Sequence, residues 1–279
     1  MKPFAASLLL LIIAAQVVAQ EAAKTSDETS PPKSVSPLRK LMDESLTWDE
    51  LFVSDTSATP MTARVAMRWA NNTRGSETGM TVLYLASGRP EAACGIYPWD
   101  GNLVHEFDSL SRGRLIAKRE GAVAWTPDKP GVEFQAIPDA DAPTEMPATR
   151  LRQMKSLAGQ FSSTMLGWRA DNSDRELLRL LPQPLYRYES RRSDVLDGAV
   201  FAFTQGTDPE SLLLLEAFKN EDRFEWQFAF VRNTSGELEG RHRDMVVWRA
   251  DRFPENSNSR SAHLSLFRPI DASILVAPK

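Results

Sequence analysis

The apolar positions of the chain change period along its length, and each change marks a different kind of element. From Ser36 to Phe52, Leu38, Leu41, Met42 and Leu46 recur at helical spacing behind a Ser36 N-cap and a Pro37 at the first helical position. The spacing predicts a short helix over Pro37–Leu46, with Trp48, Leu51 and Phe52 pinning it to the body. Beyond Pro60 the period falls to two. Val65, Met67 and Trp69 share one face of a strand, and Arg64 and Arg68 share the other. Thr81–Ala86, Leu103–Phe107, Leu115–Lys118, Val123–Trp125 and Val132–Ile137 read as further strands. Turns at Asp100-Gly101, Arg112-Gly113 and Pro130-Gly131 separate them as in an antiparallel meander.

The stretch 138–147, rich in Pro, Asp and Ala, reads as a joint. After it the helical period returns: Leu151, Met154, Leu157, Ala158 and Phe161 form one stripe over Thr149–Phe161, with Arg150, Arg152 and Lys155 expected to face outward. The remaining chain returns to strands at Ala199–Gln205, Leu212–Phe218, Phe224–Val231 and Met245–Trp248. Leu212–Leu215 is apolar on both faces, which predicts a central strand. Trp226, Phe228 and Phe230 alternate with polar or small residues and are expected to point inward. Leu185–Tyr188 follows Pro182-Gln183-Pro184, so it is expected at a sheet edge or outside the sheet. Asp208-Pro209-Glu210 reads as a turn.

Ahead of these elements lies a different kind of segment. Lys2, the apolar run Ala5–Ala15 and the small residues Val17 and Ala19 fit a secretory leader over 1–19, cleaved after Ala19. The apolar stretch is shorter than the roughly 20 residues a spanning helix needs. Residues 20–35, mostly Ser, Thr, Lys, Glu and Pro, read as a disordered linker. The expected organisation is therefore leader, linker, helix and meander over 36–137, joint over 138–147, and helix plus antiparallel sheet over 148–279. The two halves form one domain or two.

Composition narrows the function classes. At 42% hydrophobic and 25% charged the chain is ordinary globular protein, and a formal charge of -4 argues against nucleic acid as a partner. The single cysteine, Cys94, sits in an apolar stretch, so no intramolecular disulfide forms and the core must carry stability. Asn71-Asn72-Thr73 and Asn233-Thr234-Ser235 match glycosylation sequons.

Catalytic motifs are missing: there is no nucleophile elbow, zinc helix, phosphate loop or dinucleotide fingerprint. No cofactor and no metal site is expected. Of the three histidines, His105 shares a strand face with Phe107, His242 lies between two arginines, and His263 precedes Leu264-Ser265-Leu266-Phe267 and reads as structural. Glu106 and Asp108 share the other face of the His105 strand and are expected to be solvated. Arg187 and Arg191 beside Tyr186 and Tyr188 form the one candidate ligand-binding cluster, with fork and stacking contacts suited to an anionic glycan or phosphate.

Three phrases carry a resemblance. Arg150–Lys155, Leu180–Tyr188 and Asp197–Glu210, with Trp125-Thr126-Pro127 and Gly131–Phe134, resemble an uncharacterised family of exported planctomycete proteins over about residues 98–250. The resemblance implies a bacterial, exported protein of the periplasm or extracellular envelope and assigns no activity. The fold class expected from the whole pattern is α+β, mainly antiparallel β, meander-, barrel- or sandwich-like, with one central amphipathic helix and a short N-terminal helix. Two function classes stay open. The first is a non-enzymatic protein that binds a ligand or cell-envelope partner through a sheet surface or cavity. The second is a secreted hydrolase whose carboxylates, Glu106 with Asp108 or Asp208 with Glu210, converge only in three dimensions.

Overall fold

A computed structural model describes residues 36–54, 57–71, 76–166, 175–189, 194–253 and 258–275. The predicted leader and linker lie outside the described residues. The chain divides into Met1–Pro37 and Leu38–Lys279, and every sheet belongs to the second unit.

The first half opens with α1 (Pro37–Glu44) and a single 3-10 turn, Ser45–Thr47. Strands β1 (Asp49–Phe52), β2 (Thr62–Asn71), β3 (Ser76–Ala86), β4 (Arg89–Trp99), β5 (Asn102–Ser109), β6 (Ile116–Arg119), β7 (Ala122–Trp125) and β8 (Gln135–Ala136) follow. The second half opens with α2 (Pro147–Ala158). It continues through β9 (Phe161–Leu166), β10 (Arg175–Leu177), β11 (Arg179–Leu180), β12 (Tyr186–Tyr188), β13 (Val195–Gln205), β14 (Asp208–Asn220) and β15 (Arg223–Arg232). β16 (Leu238–His242), β17 (Met245–Ala250), β18 (His263–Pro269) and a last turn of helix, α3 (Ala272–Leu275), complete it. The protein is mainly antiparallel β with two principal helices, as the periodicity predicts. Cys94 is a free, buried thiol, and among the described residues no helix is long and apolar enough to cross a membrane.

The two halves follow one plan. In each, a helix leads into a short strand, a meander of long strands follows, and a hairpin then pairs back on the short strand. The resulting small sheets are β1-β6-β7 and β9-β16-β17, the latter extended by β10. The large sheets run β18-β5-β4-β3-β2 and β8-β15-β14-β13-β11, with β12 also on β13. The correspondence reaches single residues. Arg89-Pro90-Glu91 opens β4 and Asp208-Pro209-Glu210 opens β14. Pro90 pairs with Leu85 and Pro209 with Thr204, and the glutamate after each proline is the extra residue of a bulge. Each bulged glutamate accepts a backbone bond from the end of the following strand: Leu110 N to Glu91 O at 2.9 Å, and Asn233 N to Glu210 O at 2.8 Å.

The halves also exchange strands. β8, which follows the first hairpin, pairs with β15 of the second half, and β18, which follows the second hairpin, pairs with β5 of the first. Each large sheet is thus finished by chain from the other half.

Three cores separate the layers. One lies between the five-stranded sheet and α1 with β1, β6 and β7, built on Met42, Leu51, Ile96, Phe107 and Trp125. A second lies between the six-stranded sheet and α2 with β9, where Met154, Phe161, Phe203, Trp226, Phe228 and Phe230 meet. The third joins the two large sheets through Leu83, Ala93, Leu110, Val200, Leu212 and Leu214. This third core explains the doubly apolar strand: Leu213 and Leu215 face α2 while Leu212 and Leu214 face the other sheet, and all four are fully buried. Trp226, Phe228 and Phe230 point inward as expected, and the space around them is filled: the Phe161 ring lies 4.8 Å from Phe228, and Trp248 stacks at 5.5 Å on Phe230.

Several expectations need correction. Leu51 and Phe52, expected only to pin the first helix to the body, lie on a strand, β1, which pairs with β6. β4 appears where the sequence offered only an apolar stretch, because both of its faces are covered. α2 ends at Ala158, and Phe161 begins β9. Arg150, expected to face water, is 3% exposed and bonds Asp197 at 2.7 Å. Asp208-Pro209-Glu210 is strand, and the turn is the preceding Gly206-Thr207. Three hairpins close through paired left-handed residues, Ser87-Gly88, Asp100-Gly101 and Glu120-Gly121, the primed turns whose twist matches the strands.

Because each large sheet takes its last strand from the other half, the halves are expected to hold together without a covalent joint. A protease site inserted after Asp141 and then cut should leave two fragments that co-elute on gel filtration and unfold in a single transition. Fragments that separate and melt independently would contradict the exchange.

Candidate functional site

The residues singled out from the sequence lie along the edge strand β12. Arg191 lies outside the described residues. Tyr186 and Tyr188 share one face, their rings 6.0 Å apart and nearly parallel. The Arg64 guanidinium covers Tyr186 at 4.8 Å, and Tyr186 donates to Gly88 O at 3.2 Å. Arg187 points the other way, where its fork closes on Asp197 at 2.9 and 2.6 Å, with a further bond to Pro147 O. The hydrogen bond to Asp197 raises the Arg187 pKa. Asp197, completely buried, also holds Arg150, so one carboxylate fastens α2 and β12 onto β13.

Tyr188 leads to the centre of the molecule. Gly198 opposes it on β13, where a Cβ would stand 2.5 Å from the ring, so only glycine lets the tyrosine lie across the strand. The Tyr188 hydroxyl donates to Glu216 Oε1 at 2.8 Å. Glu216 is completely buried on β14 and collects three further donors: Arg89 Nε at 2.9 Å, Gln227 Nε2 at 3.0 Å, and Arg112 Nη2. Arg112 lies between the rings of Phe134 and Phe218, 4.2 and 4.7 Å from their centroids. Arg89 also donates to the carbonyls of Pro90 and Leu110 and pairs with Glu91 at 3.1 Å. Burial works against the Arg89 charge, but Tyr188, Glu216 and Glu91 outweigh it and raise its pKa.

This network borders a cleft of about 90 Å³ between the start of β4, the loop after β5 and the start of β13. Arg89, Glu91, Ser111, Arg112, Arg114 and Asp194 contribute to its walls. Among the described residues, two of the lining side chains carry a buried atom without a hydrogen-bond partner, Nη2 of Arg89 and Oδ1 of Asp194. An orphaned buried donor or acceptor carries a desolvation cost of about 1–3 kcal/mol, so a cleft with one of each is stabilised by whatever supplies the missing partners.

The histidines form two other clusters. On one face of β5, His105 Nδ1 lies 2.7 Å from Asp49 and Nε2 lies 3.0 Å from Ser45 Oγ, while Arg119 holds Asp49 with two bonds of 2.7 Å. The order and spacing are those of a serine-hydrolase triad. Ser45 and His105 are nevertheless fully enclosed, Asp49 is 5% exposed with its side chain fully enclosed, and Trp48 stacks on the imidazole. Ser45 also bonds Met42 O at 2.8 Å. Its segment is the very one that covers the site, so uncovering the hydroxyl would carry it away from His105. The cluster latches α1 and β1 onto β5. Burial lowers the His105 pKa despite the Asp49 bond. At Asp49, burial is outweighed by the bonds to His105 and Arg119, which hold its pKa below the ordinary value.

On the other face, Glu106 and Asp108 are 6% and 1% exposed, not solvated as the alternation suggested. The second large sheet covers that face, and β18 brings His263 to both: 2.8 Å to Asp108 and 3.3 Å to Glu106. Tyr97 donates to Glu106 at 2.9 Å. Burial disfavours the His263 imidazolium, but the Asp108 carboxylate outweighs it and the pKa rises; burial in turn raises that of Asp108. His242 packs on Phe161 at 4.6 Å, and burial followed by Arg243 lowers its pKa. Burial pushes the Cys94 thiol well up, leaving it inert. Both sequon asparagines are buried and hydrogen-bonded through their amides, Asn71 to Gln205 and Asp208, Asn233 to Pro209 O. Among the described residues no group of three or more His, Cys, Asp or Glu side chains could hold a metal ion.

The residues that sequence reasoning missed are Arg89, Glu91, Asp194 and Glu216. One signal was present: Arg-Pro-Glu and Asp-Pro-Glu recur in equivalent strands, and the first of them opens the cleft wall. Comparison with known proteins finds no matching family model, no matching curated protein and no matching solved structure.

Glu216→Ala is expected to cost about 3–5 kcal/mol, because it leaves the buried Arg89 guanidinium with Glu91 alone and takes the acceptor from the Tyr188 hydroxyl; the shift in urea midpoint measures it. The histidines predict opposite slopes with pH. His105 has a lowered folded pKa, so its stability contribution is complete above its ordinary value near 6.5 and is lost as pH falls below it. His263 has a raised folded pKa, so its contribution is complete below 6.5 and is lost as pH rises through the folded value. Urea midpoints against pH should flatten on the acid side in His105→Gln and on the neutral-to-alkaline side in His263→Gln. Unchanged profiles would refute the assignment.

Proposed function

We propose that the protein is an exported, non-enzymatic binding protein of the bacterial cell envelope, and that its ligand site is the cleft bordered by Arg89, Arg112 and Asp194. The observation that carries this reading is the pair of orphaned polar atoms, Nη2 of Arg89 and Oδ1 of Asp194, in the walls of one opening. Native interiors leave few such groups unpaired, and a bound polar molecule satisfies both at once. The resemblance to exported planctomycete proteins and the leader-like N-terminus agree with an envelope location. The aromatic face of β15 is packed solid and supports no apolar carrier.

A secreted hydrolase is the second reading, favoured by the Ser45–His105–Asp49 arrangement. It requires a nucleophile that substrate can reach, and Ser45 has no exposed surface.

Native mass spectrometry of protein purified from its own envelope should show a low-mass adduct that is absent from Asp194→Asn. An unadducted wild type would count against the binding reading. A fluorophosphonate probe should leave Ser45 unlabelled in the folded protein; labelling abolished by His105→Gln would reinstate the hydrolase.

A further inference from the structure

The charges around the cleft do not cancel locally. Glu216 and Glu91 are matched by Arg89 and Arg112, through bonds of 2.9 and 3.1 Å to Arg89 and the direct pair between Glu216 and Arg112. Two wall residues remain outside that balance. Arg114 is exposed and forms no ion pair among the described residues, and Asp194 has a buried, unpartnered Oδ1. Among the described residues the walls therefore hold a cation and an anion without ion partners, together with an orphaned donor on Arg89, itself only 4% exposed.

A plain anion placed there would meet Arg89 and Arg114 but also Asp194 and Glu91. A plain cation would meet the reverse. Either one leaves half of the wall charge uncompensated, in surroundings where an unpaired charge is costly. A dipolar group meets both sides. Size limits it further: about 90 Å³ is well under the roughly 150 Å³ of an apolar cavity that binds benzene. That is room for a head of a few heavy atoms and too little for a sugar ring. From these observations we infer that the cleft binds a small zwitterion, the ammonium and carboxylate head of an α-amino acid. The carboxylate takes Nη2 of Arg89 and the Arg114 guanidinium, the ammonium takes Asp194, and the side chain projects into solvent. Guanidinium–carboxylate pairing suits one end of such a ligand, and a carboxylate acceptor suits the three donors of the other. The inference rests on the cleft being the ligand site and adds the chemical class of the ligand.

The test changes the ligand as well as the protein, so it survives a variant that fails to fold. Amide resonances of Gly113 and Val195, in and beside the walls, are followed in ¹H–¹⁵N spectra during titration with L-alanine, N-acetyl-L-alanine and L-alaninamide. Alanine is expected to shift them saturably, and each blocked form to bind at least tenfold more weakly. Arg114→Gln and Asp194→Asn should each weaken alanine at least tenfold, the exposed Arg114→Gln without moving the melting temperature. If N-acetylalanine binds as well as alanine, the ammonium contributes nothing, and the zwitterion inference falls while the binding reading stands; equal binding of alaninamide has the same consequence. If none of the three shifts either resonance, the inference is overturned. The presence or absence of a co-purifying adduct then decides separately whether the cleft binds anything.

Discussion

One buried carboxylate holds the two halves of this protein together. Glu216 lies on the central strand of the second large sheet with none of its surface exposed. Its partners come from both sides: Arg89 and Arg112 from the first half, Tyr188 and Gln227 from the second. A lone buried carboxylate would be expensive. Here four donors meet it, and the cost is turned into registration, because only one placement of the sheets brings all four within reach. Phe134 and Phe218 close around Arg112, so the chain just before β8 and the end of β14 are positioned by the same contact.

That tie has a counterpart in the strand exchange. Each half repeats helix, short strand, meander and returning hairpin, and each gives its final strand to the other. An edge strand left open invites pairing with another chain; in this fold the β5 and β15 edges are covered from within. The same geometry sets the cleft apart. Its walls come from β4, the loop after β5 and β13, where the equivalent bulges carry Arg-Pro-Glu in one half and Asp-Pro-Glu in the other. The two halves share a backbone plan but differ in charge at this point, and the cation lies on the side that opens.

Much of the secondary structure was legible in the sequence. Alternation placed β2, β3, β5 and the long C-terminal strands, and the run Leu212–Leu215 announced a strand buried on both sides. Strands with mixed composition were less visible. β4 contains Pro90, Cys94, Gly95 and Pro98 and lacks a polar face, so period-two reasoning had nothing to detect. β16 and β18 are short and take their stability from partners distant in the chain. The candidate site was less legible still. Of the residues marked by local sequence, Arg187 serves Asp197 and Tyr188 serves Glu216, and the cleft instead gathers residues from 53 to 195. A local cluster of arginines and tyrosines records composition, whereas a site depends on which charges are left unpaired after packing.

By itself the sequence determined the antiparallel β character, the two amphipathic helices, the Asp100-Gly101 turn, and the inward direction of Trp226, Phe228 and Phe230. All of these follow from side-chain periodicity along one strand or helix, which is local geometry. Only the tertiary structure decided the fate of the polar faces. Glu106, Asp108 and Arg150 alternate as solvated residues would, yet they are buried, because a second sheet or a facing carboxylate covers them. Alternation states which residues share a face. Whether that face meets water or another layer depends on contacts between residues 47 to 155 positions apart, and contacts of this kind also created the cleft.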